Sequence, residues 1–316
     1  MYYPYLRGKQ FELLALREFS AQFRNNSKIV PIIEPVKVQF NGLDTAIATL
    51  INNCLTFAMI LNPQDGDFKH VSNNDVLTYL PQLATNYQRW IPAYIYKDNN
   101  GSAILKHAEN AHLSNLMVIF PAGADVNDDA VIQFISNDNI KYIVSGNLNN
   151  NRSTRSRLLK LGKSIISLED RFNDLPRNAD YADNPDEMFS EDFAYYTDDN
   201  LDGFADYTPM AKDYAEGGML PYAIAIHLTY QKSDDQVYVH HFVSDHNYDQ
   251  SNIRGKFHEA AIKIAPFYDK GKYAHTAAVD ELIKKSSSED GYPGLGYIKK
   301  LSLLNHLQLM NRILPD

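Results

Sequence analysis

A single cysteine, Cys54, among 316 residues excludes an internal disulfide, so the fold must stand on packing alone, as proteins of reducing compartments do. Lying at the end of an amphipathic run, Cys54 reads as a small buried hydrophobe. No stretch of about 18 apolar residues occurs, so no membrane-spanning helix is expected. The opening "MYYPYLRGKQFELLALREF" lacks the apolar centre of a secretory signal. A cytoplasmic location is the expectation. Basic charge is also scarce: 30 Lys and Arg stand against 39 Asp and Glu, a net charge of −9. That balance argues against nonspecific binding to a nucleic-acid backbone, which calls for a basic face. No GxGxxG or GxxxxGK[ST] loop, no HExxH, no CxxC pair and no Gly/Ser linker is found. A dinucleotide fold, a common zinc site and a division into domains all lose support, and residues 1–316 read as one domain.

What is present is a repeat of short apolar runs alternating with helical patterns. The runs fall near 28–36, 57–62, 91–96, 116–121, 140–145, 164–169, 203–208 and 222–230. They are near-continuous rather than alternating, the mark of strands covered on both faces in a parallel sheet. Helical periodicity lies between them, as in "LDTAIATLINNC", "VLTYLPQLATNY" (76–87) and "SAILKHAENAHL". Eight βα units in this length predict an α/β fold, a (β/α)8 TIM-like barrel. Two departures from the repeat are expected. A long insertion, 173–202, follows the sixth run, and a hairpin extension, "YAIAIHLTYQKSDDQVYVHHFVSD", follows the eighth. The insertion carries Tyr181, Phe189, Phe193, Tyr195 and Tyr196, which argue for an ordered segment, here expected to fold over the barrel mouth as a lid.

Several stretches resemble the motif series of the beta family: "MYYPYLRGKQFELLALRE", "PIIEPVK", "LNPQDGD", "FSEDFAYY", "GFADYT", "PYAIAIHLTY", "HHFVSD" and "PGLGYIKKLSLLNHLQLM". The resemblance spans nearly the whole chain. It implies a bacterial or phage-borne protein from the neighbourhood of mobile-element and phage-defence genes. It implies no reaction and no catalytic residues.

Chemistry must then be read from position. Barrel enzymes keep their reacting groups at the C-terminal ends of the strands. Those positions hold Glu34, Asn62, Lys97, Ser145, Asn147, Glu169, Asp170, Arg171, Asp206 and His227. Glu34, Glu169, Asp170, Asp206 and His227 are the candidate catalytic groups. Arg7, Lys97, Arg171 and Arg177 are the candidate substrate-binding cations. Each also has a plain structural reading. Glu34 is equally a salt bridge at the barrel end, Asp170 and Arg171 a local pair, Asp180 a turn former and His227 a core histidine. Arg7 lies at the mouth or plugs the barrel bottom, depending on how the first helix runs. The "HH" at His240 and His241, with Asp245, is a weak metal signal. "YPGLGYIKK" sets Gly294 and Gly296 before a helix carrying Lys299 and Lys300, either a phosphate-binding N-terminus or a simple turn.

Two functions fit these residues. One is a hydrolase of phosphate esters using the acidic mouth, with Mg²⁺ or Mn²⁺ as the cofactor carboxylates would take, although the sequence names none. A carboxylate pair such as Glu34 and Glu169 would instead serve glycoside hydrolysis. The alternative is a non-catalytic binding protein of a defence system or mobile element, docking a protein partner. The ligand is accordingly an anionic small molecule or a protein.

Overall fold

The computed structural model describes residues 1–70, 89–215, 220–287 and 291–315. Eight parallel strands form a nearly closed barrel: β1 (Tyr5–Leu6), β2 (Ile32–Ile33), β3 (Phe57–Ile60), β4 (Trp90–Ile95), β5 (Leu116–Phe120), β6 (Ile140–Gly146), β7 (Ser164–Glu169) and β9 (Gly203–Asp206). Tyr2 completes the ring, bridging Ile29 on one side and Phe204 on the other. The helices α1 (Gln10–Gln22), α2 (Asn41–Asn52), α3 (Gly101–Asn110), α4 (Asp129–Ile135) and α5 (Arg152–Leu159) follow β1, β2, β4, β5 and β6. The helical pattern at 76–87 lies outside the described residues.

The eighth barrel strand is not the run at 222–230. That run belongs to β10 (Ala225–Ser233), which pairs with β11 (Gln236–Val243) and through it with β8 (Asp186–Ser190) in a separate antiparallel sheet. The place expected for it in the barrel is taken by the N-terminal tyrosine-rich strand. The misreading has a physical cause. β10 is covered on both faces: Leu228 and Tyr230 are buried on one, Thr229 on the other, so it looks like an inner parallel strand.

Side chains alternate across the barrel wall with period two. Tyr3, Tyr5, Ile32, Ile60, Ile166 and Leu168 fill the interior. Their neighbours Tyr2, Leu6, Ile33, Met59, Ile165 and Phe204 face outward into the layer beneath the helices. The antiparallel sheet lies against α10 (Leu295–Ile313) and α7 (Ile253–Ala261), and the ring of Phe267 from α8 (Ile264–Gly271) rests on Tyr230, His240 and Phe242. α9 (Ala277–Ser286) packs on α10. Cys54 is only partly buried, in a turn after α2 at φ 56°.

The insertion at 173–202 is built from a 3-10 turn (Asn178–Ala182), strand β8 and a short helix α6 (Asp192–Tyr195). It does not cover the mouth as expected. It packs along the outer wall, where Tyr196 meets the outward-facing Phe204 at 5.4 Å and Phe189 meets His306 at 5.1 Å. Its aromatics find their partners there because β8 is drawn into the second sheet.

Candidate functional site

The mouth of the barrel is organised around Arg7 and Glu34. Arg7 lies two residues beyond Tyr5 and so keeps the inward direction of that strand. The turn behind it is fixed by Gly8, at φ +59°, where a Cβ would come within 2.9 Å of the Glu34 carbonyl oxygen. Glu12, in the first turn of α1, accepts the Arg7 backbone N–H at 2.6 Å, tying the turn to the helix start. The Arg7 guanidinium sits 5.0 Å from the Tyr5 ring and 5.3 Å from the Tyr207 ring. Arg7 therefore lies at the mouth, not at the barrel bottom.

Glu34 is 1% exposed. Its Oε2 accepts from Tyr5 Oη at 2.6 Å and its Oε1 from the Gln64 backbone N–H at 2.7 Å. Burial leaves its pKa raised, although Arg7 and the two hydrogen bonds oppose the shift. Gln64 and Asp65 arrive on the "LNPQDGD" turn. Gly66 permits that turn at φ +64°, since a Cβ there would lie 2.1 Å from the Val36 carbonyl oxygen. Asp65 Oδ2 lies 3.0 Å from Arg7 Nε, and Glu34 Oε2 lies 3.9 Å from it. These are ion-pair distances only: among the described residues the buried Nε–H makes no hydrogen bond.

Asp170, two residues beyond the inward-facing Leu168, stands exposed at the rim. Partial burial together with the charges of Asp213 and Asp174 raises its pKa, and Lys212 opposes this. The segment crossing the mouth is the one after β9. Tyr207 is 6% exposed, the Lys212 carbonyl accepts from an Arg7 terminal nitrogen, and the Ala215 carbonyl accepts from Lys9 Nζ at 3.1 Å.

Three residues expected at the mouth point the other way. Glu169 and Arg171 flank Asp170, so strand alternation sends both outward. Glu169 accepts from Ser167 Oγ at 3.0 Å. Arg171 makes a two-pronged pair with Asp192 of α6, at 2.9 Å and 2.6 Å. The Arg171–Asp192 pair anchors the insertion. Glu34 and Glu169 thus lie on opposite sides of the wall and form no glycosidase pair. Asp206 also faces outward, between the inward Ala205 and Tyr207. Its Oδ1 accepts from Tyr2 Oη at 2.6 Å and from the Thr208 N–H at 2.7 Å. Tyr2 Oη lies 2.8 Å from His306 Nε2, and His306 Nδ1 lies 3.0 Å from Thr229 Oγ1. This buried chain joins the barrel, α10 and the second sheet. Burial pushes Asp206 up to about 6 and His306 down to about 3.

The remaining candidates are dispersed. Lys97 is exposed on the rim beyond β4. Arg177, 79% exposed, pairs with Asp180 at 2.8 Å within its own turn. His227 sits on β10 rather than on a barrel strand. Asn62 extends the sheet, its amide bonding the Ile95 backbone at 2.8 Å in both directions. Ser145 accepts the Ala124 N–H at 3.0 Å. Lys300 is buried against Glu18 at 2.5 Å. A Cβ on Gly296 would lie 1.9 Å from the Phe11 ring, so this glycine lets α10 approach α1 and cradles no phosphate. His240 turns to Asp186 at 3.3 Å, while Asp245 pairs with Lys263 at 2.7 Å. Among the described residues, no three His, Cys, Asp or Glu side chains gather in a way that would hold a metal ion.

Sequence reading passed over Tyr5, Asp65, Tyr207 and Lys212. The first three carry a signal, standing in motifs ("MYYPYLRGK", "NPQDGD", "FADYT") at or just past strand ends. Lys212 carries none, because its backbone carbonyl makes the contact. Compared with known proteins, the chain matches no family model and no curated protein.

Proposed function

We propose that the protein is a hydrolase of phosphate esters acting at the barrel mouth. The observation that carries this reading is the Arg7 Nε–H, a buried donor among inward-facing groups at the C-terminal end of the barrel that has no hydrogen-bond acceptor among the described residues. A phosphoryl oxygen is the acceptor that a guanidinium fork fits best. Lys9 and Lys212, beside Arg7, add positive charge. Asp170, whose pKa is raised, supplies the rim with a carboxyl suited to proton transfer. Glu34 and Tyr5 position Arg7 rather than react, since the Glu34 carboxylate is enclosed by hydrogen bonds. For substrate to enter, the segment after Tyr207 must release its carbonyls from Arg7 and Lys9.

The test is thermal unfolding with and without inorganic phosphate, followed by turnover of p-nitrophenyl phosphate. Phosphate is expected to raise the Tm of the wild-type protein and not of Arg7→Ala. Turnover is expected to fall at least about 100-fold in Asp170→Asn. A phosphate-insensitive Tm together with no turnover would sink the reading.

One observation favours the non-catalytic alternative: Tyr207 and Glu34 fill the mouth, and two backbone carbonyls are tied across it. Phosphate binding without turnover would establish that reading, with an anionic group on a partner in place of a substrate. The setting implied by the beta-family resemblance, phage defence or mobile elements, suits either.

A further inference from the structure

The second sheet carries, beside the mouth, a set of polar side chains that the barrel chemistry leaves unused. His227 and His241 are registered partners across β10 and β11, and their Nδ1 atoms lie 2.6 Å apart. Two ring nitrogens at that distance share one proton. One ring is therefore the Nδ1–H tautomer and donates, and the other carries its proton on Nε2 and accepts. The surroundings decide which is which. His241 Nε2 is buried, has no hydrogen-bond partner among the described residues, and lies 3.9 Å from Glu187 Oε2. Glu187 is itself aimed: its Oε1 accepts from Asn173 Nδ2 at 3.2 Å and Asn184 Nδ2 at 2.9 Å, leaving Oε2 to face the ring. A carboxylate beside Nε2 favours the proton there. His241 then accepts at Nδ1, His227 donates its Nδ1–H, and His227 Nε2 keeps a lone pair. His241 is 2% exposed, whereas His227 is only partly buried, so the lone pair belongs to the less enclosed residue of the two.

The pair lies against Phe172, just beyond the C-terminal end of β7. Phe172 and Tyr181 enclose it, with ring centroids 5.1 Å and 4.7 Å from His227. Phe172 follows directly on Arg171 at the end of β7. Lys299, in the first turn of α10, acts electrostatically on both His227 and Asp174, and Asp174 acts on Asp170. The charged and titratable groups around the pair are thus Glu187 and Asp186 from β8, Tyr181 and Asp174 from the insertion, His240 from β11 and Lys299 from α10. Burial holds both rings below the usual histidine range, His241 at about 4, so both are neutral near pH 7.

We propose that Glu187, His241 and His227 form a relay presenting His227 Nε2 as a proton acceptor at the edge of the mouth. His227 is the acting group, and His241 and Glu187 are its positioning residues. The substrate class rests on the phosphate-ester reading. In the step, a water oxygen bonds to phosphorus and its proton passes to His227 Nε2. The ester P–O bond breaks, and the leaving oxygen takes the proton of a protonated Asp170. The charge on His227 is eased through its Nδ1–H bond to His241 and by Glu187 behind it. His227 and Asp170 then exchange their protons with solvent.

The decisive measurement is long-range ¹H–¹⁵N NMR of the imidazole rings at pH 7 in the full-length protein, which needs no substrate. Nδ1–H on His227 and Nε2–H on His241 are expected, and Glu187→Gln is expected to mix the two tautomers. The reverse assignment in the wild-type protein, or one unchanged by Glu187→Gln, overturns the relay. With p-nitrophenyl phosphate, His227→Gln is expected to lower kcat about 100-fold. Glu187→Gln is expected to lower kcat about tenfold at unchanged KM, with recovery in Glu187→Asp. Correct tautomers without turnover would uphold the relay and fail the hydrolase reading instead. Turnover in which Glu187→Gln is silent would do the reverse.

Discussion

Glu34 and Asp206 both stand at the C-terminal ends of barrel strands, both are 1% exposed, and each accepts a 2.6 Å hydrogen bond from a tyrosine of the N-terminal strand. Glu34 faces the barrel axis and has the Arg7 guanidinium beside it. Asp206 faces outward, into the layer beneath α10 and the insertion, where its partners are Tyr2, Thr208 and, through Tyr2, His306. Two acids alike in residue class, burial and strand position are thus assigned to a site and to a scaffold by one step of strand alternation. The mouth holds an unmatched donor and an exposed acid. The outer wall holds a closed chain in which each group is answered by another.

Variants of the wall are accordingly expected to cost stability and leave phosphate binding intact, and variants of the mouth to do the opposite. The largest expected loss is on the wall. Asp192→Ala strands the Arg171 guanidinium and is expected to cost about 3 kcal/mol in urea unfolding, with the phosphate-induced rise in Tm preserved. Arg7→Ala is expected to cost less, about 2 kcal/mol, and to abolish the phosphate response. Equal losses of stability and response in both variants would erase the distinction.

Asp206 sharpens the comparison through pH. Its value near 6 in the folded protein exceeds that of an unfolded aspartate, about 4. Its contribution to stability is therefore fully present below about pH 4 and is lost as pH rises through 6, so the ionised group opposes folding at pH 7. Asparagine retains an oxygen for Tyr2 and Thr208. Asp206→Asn is expected to gain roughly 1 kcal/mol at pH 7 and to lose that advantage by pH 4. His306, held near 3 by burial, contributes the opposite slope. Urea midpoints at the two pH values decide the matter, and a variant less stable at pH 7 than at pH 4, relative to wild type, would contradict the assignment. The smallest effect belongs to Arg177. Paired only within its own exposed turn, it is expected to leave both Tm and the phosphate response unchanged when replaced by alanine.

Seven of the eight barrel strands could be read from apolar runs, because strands buried on both faces leave few polar interruptions. The eighth could not. β1 has two residues in regular pairing, is preceded by Pro4 and shares its stretch with three tyrosines, whereas "YAIAIHLTY" presents a longer and greasier run. Periodicity measures burial, and the apolar centre of β10, with Ile226, Leu228, Thr229 and Tyr230 all buried, gives the same signal as a barrel strand. Glu34 and Asp170 were legible as mouth residues from position alone. Separating them from Glu169, Arg171 and Asp206 needed only the alternation rule applied to the last inward residue of each strand. Lys212 and Ala215 were beyond reach, because they act through backbone carbonyls that any residue would supply.

The bridge from Tyr2 to both edges of the barrel has a consequence for how the chain reaches this shape. β1 is made first and can pair with β2 once some thirty residues have emerged, yet its other edge waits for β9. Tyr2 and Asp206, 204 residues apart in sequence, must meet before the ring shuts. Until then two strand edges stay open and available to other chains. Ring closure should therefore be late and slow relative to the pairing of neighbouring strands. Growing chains halted before β9 should aggregate far more readily than chains halted after it.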